Sequence, residues 1–396
     1  MKAVILGSGR IGCGFAGHLL RAAGYELCFI SRNADMVAHL NRVGSYRVLL
    51  ANGREQALHE VGDVRALLDT DHAGCVAALV AADVIVTAVG PANLRAVAPL
   101  LASALAVRRS PVNVLAFENL ANAGAELRAR VASCLPAGSD LGAFGFSGTL
   151  VTRAVTQCVG DPRADEPLVF LGDPPAELVV DGRSMVQPFP QLPTLVVADD
   201  FAAWMQRKLF IFSAGHATCA YLGYLKGYRY IHSAIRDEEI RSAVMQAMSE
   251  GQRGIAALYG TTFAGGPAHL EQILERFGNA AITDPVSRVA RDPSRKLSAG
   301  DRLLGAARLA QQAGVHPEQL LRAAAAAYCF SDPADAQAAG LQEEIRVAGL
   351  RRTMNRVSGL GTRDRLGRSV AHRWRQLTRQ WHADSVLLDL DRVHWA

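Results

Sequence analysis

The chain has 396 residues, half of them hydrophobic and 20% charged, with a net charge of +5 at pH 7. That balance excludes a long disordered region, and at roughly 100–200 residues per domain the length predicts two domains. The mild basicity permits an anionic small-molecule substrate, but without a Lys/Arg stripe it gives no reason to expect a nucleic-acid partner.

The first predicted element is Ala3-Val4-Ile5-Leu6, a short continuous apolar run suited to a strand buried on both faces. Gly7-Ser8-Gly9-Arg10-Ile11-Gly12 follows at once, and Phe15, His18, Leu19 and Ala22 then recur at helical spacing. Strand, GxGxxG and helix in that order make a dinucleotide-binding turn. Gly7 allows the tight turn, Gly9 lets a pyrophosphate approach the backbone, and Gly12 lets the helix pack on the strand. Arg10 and Ile11 open the helix whose unpaired N–H groups would face the phosphates.

A second strand, Leu27–Ile30, ends in Ser31 and Arg32 where NAD-binding folds carry a ribose-gripping carboxylate. A hydroxyl beside a guanidinium suits the 2′-phosphate of NADP, so NADP(H) is the preferred cofactor and NAD(H) the other. Val84–Val89, ending in Gly90-Pro91, and Val112–Phe117, ending in Glu118-Asn119, read as further strands. Helical patterns over Leu94–Val107 and Ala121–Leu135 alternate with them. The alternation predicts a Rossmann-type doubly wound parallel sheet. Its ligand edge would carry Val89, Gly90, Glu118 and Asn119.

Residues 167–195 hold six prolines and read as an extended connector. Beyond it, Ile240, Val244, Met248 and Ile255 form one apolar stripe, and Leu270, Ile273, Leu274 and Phe277, closed by Gly278, form another. His316-Pro317-Glu318 opens a further helix, and Ala323–Ala327 reads as helix. The expectation is a dinucleotide-binding domain over 1–195 and a mainly α-helical substrate domain over 196–396, with the active site between them.

Seven cysteines without a CxxC predict a reducing compartment, and the N-terminal apolar stretch belongs to the glycine motif rather than to a signal peptide. Asp83 interrupts the longest apolar stretch, so no membrane span is expected, and the protein is expected to be soluble and cytoplasmic. No metal motif is visible: His72 has only Asp71 beside it. Tyr224–Tyr230 interleaves bases and aromatics, but a turn at a helix end explains so short a patch better than RNA does.

Met205–Phe210, Gly215-His216-Ala217 and Ala220–Gly223 resemble the signature region of the polyol-specific long-chain dehydrogenases. Gly7–Phe15, Thr87–Pro91, Glu118-Asn119, Arg295–Leu303 and Ser358-Gly359-Leu360 agree with it, so the resemblance runs from residue 1 to about 380. The arm it looks closest to acts on phosphorylated sugars. The resemblance implies a metal-independent NAD(P)-dependent oxidoreductase, usually monomeric, that interconverts a ketose-like ketone and a polyol. It implies Lys208 as general acid–base, with His216 and Asn119 at the reacting oxygen.

The family pattern is broken at three places. Ser213 stands where the family has an asparagine, Thr152 where it has an aspartate before Arg153, and Gly148 where the phosphate-sugar arm has another aspartate. Ser213 offers a hydroxyl to the oxygen instead of an amide. Thr152 and Arg153 then belong to the substrate side, as do Arg295, Lys296 and Arg302, which either bind an anionic group or pair with Asp292 and Asp301. The departures leave other readings open: reduction of a different ketone in a specialised biosynthetic pathway, an opine-type reductive condensation, or a catalytically silent NADP-binding relative. One geometric demand follows. On a straight helix Lys208 and His216 would stand roughly 12 Å apart along the axis. Their convergence predicts a break at Ser213-Ala214-Gly215.

Overall fold

Apolar runs in the first half become strands, most of them in one large sheet. These are β1 (Lys2–Leu6), β2 (Glu26–Ser31), β3 (Ser45–Ala51), β4 (Gln56–Gly62), β5 (Val64–Leu68), β6 (Val84–Thr87), β7 (Val112–Ala116), β8 (Phe144–Val151), β9 (Val155–Val159), β10 (Val169–Gly172), β11 (Leu178–Asp181) and β12 (Leu195–Ala198), of which β3, β4, β9 and β10 lie outside that sheet. The computed structural model describes residues 1–52, 55–120, 122–174, 177–361 and 363–387, leaving aside the side chains of 157 and 380–387. The chain divides into two units, Met1–Met205 and Gln206–Ala396.

In the first unit the large sheet has the order β12-β11-β8-β7-β6-β1-β2-β5. From β5 to β8 every pairing is parallel, and β11 joins β8 antiparallel. Helices such as Leu94–Val107 and Ala123–Ser133 connect the strands, as the doubly wound reading requires.

A second sheet, of order β4-β3-β10-β9, was not legible in the sequence. The segment read as connector in fact supplies β10 to this sheet, and β11 and the start of β12 to the large one. The cause is local. These three strands are four residues long, prolines stand between them, and β4 is exposed along most of its length, so no clean alternation marks it.

The second sheet is seated on the first helix by glycines. After the glycine turn the helix opens into a π-helical segment, Gly12–Gly17, before the α-helix His18–Ala22. A Cβ on Gly17 would stand 2.2 Å from the Tyr46 hydroxyl, and one on Gly14 would stand 2.7 Å from a Val155 methyl. The Tyr46 hydroxyl donates to the Cys13 carbonyl at 3.0 Å, within the π turn.

The second unit is helical. Helix Ala214–Leu225 is buried along nearly its whole length, among helices Glu238–Tyr259, Val286–Ala290 and Glu318–Ala327. Ala323–Ala327 are fully buried, so the alanine run is a close-packing face as well as a helix former. Buried Glu250 accepts from the Gln319 and Leu320 N–H groups at 2.9 and 3.0 Å, capping that helix from a distance.

Candidate active site

At the nucleotide turn the local geometry follows from three glycines. Gly7 has φ +107°, and a Cβ on it would meet the Ala88 carbonyl at 2.5 Å. A Cβ on Gly12 would stand 1.9 Å from the Gly7 carbonyl, so the helix start and the turn touch backbone to backbone. Gly9 differs: nothing lies within 4 Å of a Cβ placed there, which leaves an open backbone cradle of the kind a pyrophosphate needs. Arg10 is exposed, with Nη1 donating to the Thr156 carbonyl at 2.8 Å, and Ile11 packs into the core beneath.

Ser31 and Arg32 separate in role. The buried Ser31 hydroxyl accepts from Ser8 Oγ at 2.7 Å and from the Asn33 N–H at 3.2 Å, so it braces the turn against the end of β2. Arg32 is exposed and faces solvent. Glu118 is buried, and its Oε1 accepts from the Val89 N–H at 2.9 Å. Burial raises its pKa, against the backbone donors Val89 and Gly90. Glu118 therefore shapes the Val89-Gly90 turn from below, while Asn119 stands exposed beside it.

Two of the positions that depart from the family pattern, Gly148 and Thr152, have defined surroundings. A Cβ on Gly148 would come 3.1 Å from the Phe201 ring, so an aromatic fills the space beside this glycine. Thr152 Oγ1 donates to the Glu177 carbonyl at 2.6 Å. Arg153 is 3% exposed: its guanidinium donates to the Gly14 carbonyl, meets His18 Nδ1 at 3.0 Å and lies over the Phe15 ring. Burial lowers its pKa to about 10, opposed by Asp173. The structure thus places Arg153 as an internal tie to the first helix rather than at a surface open to substrate.

In the second unit Lys208, Ser213 and His216 lie on one helical run. The chain does not break between them, contrary to the sequence expectation. It widens: Lys208–Ser213 is a π-helical segment that continues into the α-helix Ala214–Leu225. A π turn bonds i→i+5 and so changes the angular spacing along the helix without a break. Its neighbour fits closely. A Cβ on Gly251 would stand 2.0 Å from the Phe210 carbonyl, so helix Glu238–Tyr259 touches the widened turn backbone to backbone. Ser213 ends the π segment and makes no capping bond.

Burial of the Lys208 ammonium, and then the guanidinium groups of Arg302 and Arg276, push its pKa down to about 8. Arg276 lies over the Phe212 ring at 4.8 Å. The Arg302 Nε meets Asp301 at 2.7 Å, and Arg295 pairs with Asp292 at 2.6 Å and reaches Asp301 at 3.6 Å. The pairing read for these arginines is therefore present. Lys296 is buried, and burial, Arg302 and Arg295 lower its pKa to about 7. Its amine donates to the Arg291 carbonyl, which turns it toward backbone.

His216 stacks on Phe277, with ring centroids 4.9 Å apart and planes 17° from parallel. Its Nε2 faces Asp284 Oδ2 at 3.3 Å, and Arg288 Nε donates to Asp284 Oδ1 at 2.6 Å. Burial alone would raise the Asp284 pKa, but His216 and Arg288 together hold it at about 2. Arg276, Asp284 and Arg288 were missed by sequence reasoning. They lie 60 and more residues beyond Lys208, in a helix end, a loop and the short helix Val286–Ala290, with no motif of their own.

Other features resolve as structural. Asp71 caps helix His72–Val80 through the Gly74 N–H. Lys226, within the aromatic patch, pairs with Asp237 and Glu239. The seven cysteines are unpaired, and no cluster of three or more metal-ligating side chains occurs among the described residues. No helix among them is long and apolar enough to cross a membrane.

A Rossmann sheet followed by a helical unit with a half-buried, charge-crowded lysine is the build of a dehydrogenase. Comparison with known proteins is more specific. Residues 1–205 match the mannitol dehydrogenase Rossmann domain, and residues 200–370 match the mannitol dehydrogenase C-terminal domain. The mannitol-1-phosphate 5-dehydrogenase of Brevibacillus brevis is 36% identical over 389 residues, 96% of this chain and 99% of that one. That of Pseudarthrobacter chlorophenolicus is 35% identical over 91% of this chain and 93% of its own length. The Pseudomonas fluorescens mannitol 2-dehydrogenase, solved with NAD and D-mannitol, shares the fold at a TM-score of 0.73 and 14% identity, covering 98% of this chain and 93% of that one. The chain belongs to the mannitol dehydrogenase family and is a polyol dehydrogenase.

Proposed function

We propose that the protein interconverts fructose 6-phosphate and mannitol 1-phosphate in the cytoplasm, as a monomer, with Lys208 managing the proton. The observation that carries the reading is Lys208 itself: a lysine whose pKa is pushed to about 8 can both take and return a proton near neutral pH. Support for the substrate comes from the curated relatives that carry that name at 31–36% identity over nearly the whole chain.

The open cradle at Gly9 and the tight packing of Gly7 and Gly12 fit a dinucleotide. Gly7, Gly9, Arg10, Ile11 and Gly12 would hold its pyrophosphate, with Val89, Gly90 and Glu118 shaping the next strand end. The bound nicotinamide would supply or accept hydride. In the oxidising direction Lys208 takes the hydroxyl proton of the polyol, and in the reducing direction it returns that proton to the ketone oxygen. His216 and Ser213 hydrogen-bond that oxygen. Arg302, Arg295 and Lys296 supply positive charge for an anionic substrate group, and Arg276 joins Arg302 in holding the lysine's pKa down. NADP(H) is proposed over NAD(H), and exposed Arg32 now carries that preference, since Ser31 is used as a brace.

The test is NADPH and NADH oxidation by the purified protein with fructose 6-phosphate and with fructose, beside Lys208→Ala. Lysine-dependent turnover of the phosphorylated ketose supports the proposal. Turnover of neither sugar, with cofactor still bound, overturns it. For cofactor preference, titration of the protein with each reduced cofactor should show tighter NADPH binding that Arg32→Ala abolishes; equal binding of both by the wild type would contradict it.

A further inference from the structure

Between Arg351 and Arg379 there are nine arginines, no lysine and a single carboxylate, Asp364, so a net +8 is gathered in one segment of a chain whose total is +5. Helix Leu350–Ser358 and the helix that begins at Arg365 carry most of it. On the second of these helices the charge has a direction. Arg365, Arg368, His372, Arg375 and Arg379 stand three and four residues apart. At 3.6 residues per turn they share an arc of about 80° and form a row about 21 Å long. All five are exposed. Leu366, Val370, Ala371, Trp374 and Leu377 occupy the opposite side and pack into the helical core, where this helix meets helix Glu318–Ala327. The row does not show as a run in the sequence, because only a helix brings its members into line.

Elsewhere in this unit, arginines at the surface meet carboxylates. Arg241 pairs with Glu271, Arg322 with Glu239, Arg346 with Glu343 and Arg356 with Glu344. Arg373, on the flank of the row, pairs with Glu318. The row itself is different. Among the described residues Arg365, Arg375 and Arg379 have no ion-pair partner, and Arg368 reaches only the Arg363 carbonyl, at 2.7 Å. Like charges one turn apart repel, so the helix holds this row against its own stability.

We propose that the row is a docking surface for an acidic helix of a partner protein. Carboxylates one turn apart on such a helix repeat at about 5 Å, the interval of the arginines, so the two rows pair in register along their whole length. Arginine suits this role, because its guanidinium fork meets a carboxylate through two parallel hydrogen bonds. Other polyanions fit less well. The row carries no aromatic ring on which the bases of a single strand could stack. The phosphates of a duplex follow a helical path, and a straight row tracks few of them. A lipid surface is held by apolar side chains as well as by charge, and those of this helix up to Leu377 face the core.

The test uses the full chain and two synthetic peptides of about 20 residues, long enough to be helical on an alanine-rich background. The two have the same composition. In one the glutamates stand at the spacing of the arginine row, and in the other they are dispersed around the helix. The first peptide should bind at low salt about tenfold more tightly than the second, and added salt should weaken it. Arg368→Gln with Arg375→Gln should cost about tenfold in affinity with Tm kept, since both side chains are exposed. Reversing the same two charges, Arg368→Glu with Arg375→Glu, should transfer binding to a peptide that carries lysines in that row. Equal binding of the two glutamate peptides, binding of neither, or a Gln variant with unaltered affinity would overturn the proposal. Tighter binding of duplex DNA, single-stranded RNA or phosphatidylserine vesicles than of the first peptide would overturn it as well. None of these readouts depends on turnover of a sugar phosphate, so failure of the proposed activity shows separately.

Discussion

Both units contain a helix that opens into a π-helical segment, and the two are built for different ends. In Gly12–Gly17 three of the six residues are glycine, and the gain is close approach: Tyr46 and Val155 press on the helix where no side chain stands. Lys208–Ser213 has no glycine, and there the helix Glu238–Tyr259 supplies it, with Gly251 at the Phe210 carbonyl. The first segment makes room for backbone and ligand. The second makes room for a side chain whose charge the surroundings oppose. One is a matter of shape written in consecutive residues, and the other is a matter of electrostatics assembled from distant ones.

The comparison breaks most directly at Lys208. Lys208→Ala should lower kcat by about 100- to 10,000-fold while cofactor binding persists, checked by steady-state rates and cofactor titration. Lys296→Ala is the control. Its amine is turned to the Arg291 carbonyl, so a loss as large as that of Lys208→Ala would move the acid–base role to Lys296.

Next in size are the glycines of the first turn. Gly12→Ala sets a methyl 1.9 Å from the Gly7 carbonyl, so thermal unfolding should show a clear drop in Tm together with lost cofactor binding. Gly9→Ala meets no protein atom within 4 Å, so Tm should hold while cofactor affinity falls about tenfold or more, because the methyl occupies the cradle. Equal effects from the two substitutions would contradict the division between packing and cradle.

A smaller shift is expected at Arg276. Removing its charge in Arg276→Gln relieves the charged form of Lys208, so the pKa read from the pH–rate profile should rise by up to about one unit. An unmoved profile would assign the depression to burial and Arg302 alone. A further effect, on acid stability alone, is expected at Asp284. Its folded pKa of about 2 lies below its unfolded value of 3.8, so it contributes stability that is present above pH 3.8 and lost as pH falls toward 2. Asp284→Asn should flatten the acid limb of Tm against pH; an unchanged limb would deny the ion pair any part in stability.

The same contrast explains what could be read in advance. Gly7, Gly9 and Gly12 lie within six residues, and β1 and the first helix flank them, so sequence spacing alone carried the turn. Helix Leu94–Val107 was legible to the residue because its apolar stripe is uninterrupted. The second sheet was not, because β4 is exposed and β10 is four residues among prolines. Arg153 looked available to substrate as a charged residue near a departure from the family pattern, but burial against Gly14 and His18 is a tertiary fact. Likewise nothing near Lys208 in sequence announces Arg276 or Arg302, and nothing near His216 announces Asp284. The continuous π turn replaced the expected break because Gly251 lets a neighbouring helix support it.

The account's central claim is that Lys208 moves the proton at a lowered pKa, and the pH dependence of kcat/KM for mannitol 1-phosphate oxidation tests it most directly. The wild type should show one ionisation near 8, activity rising as the lysine loses its proton, and that limb should vanish from the residual activity of Lys208→Ala. An ionisation that stays in place in the variant, or one at the ordinary lysine value near 10.5, would contradict it.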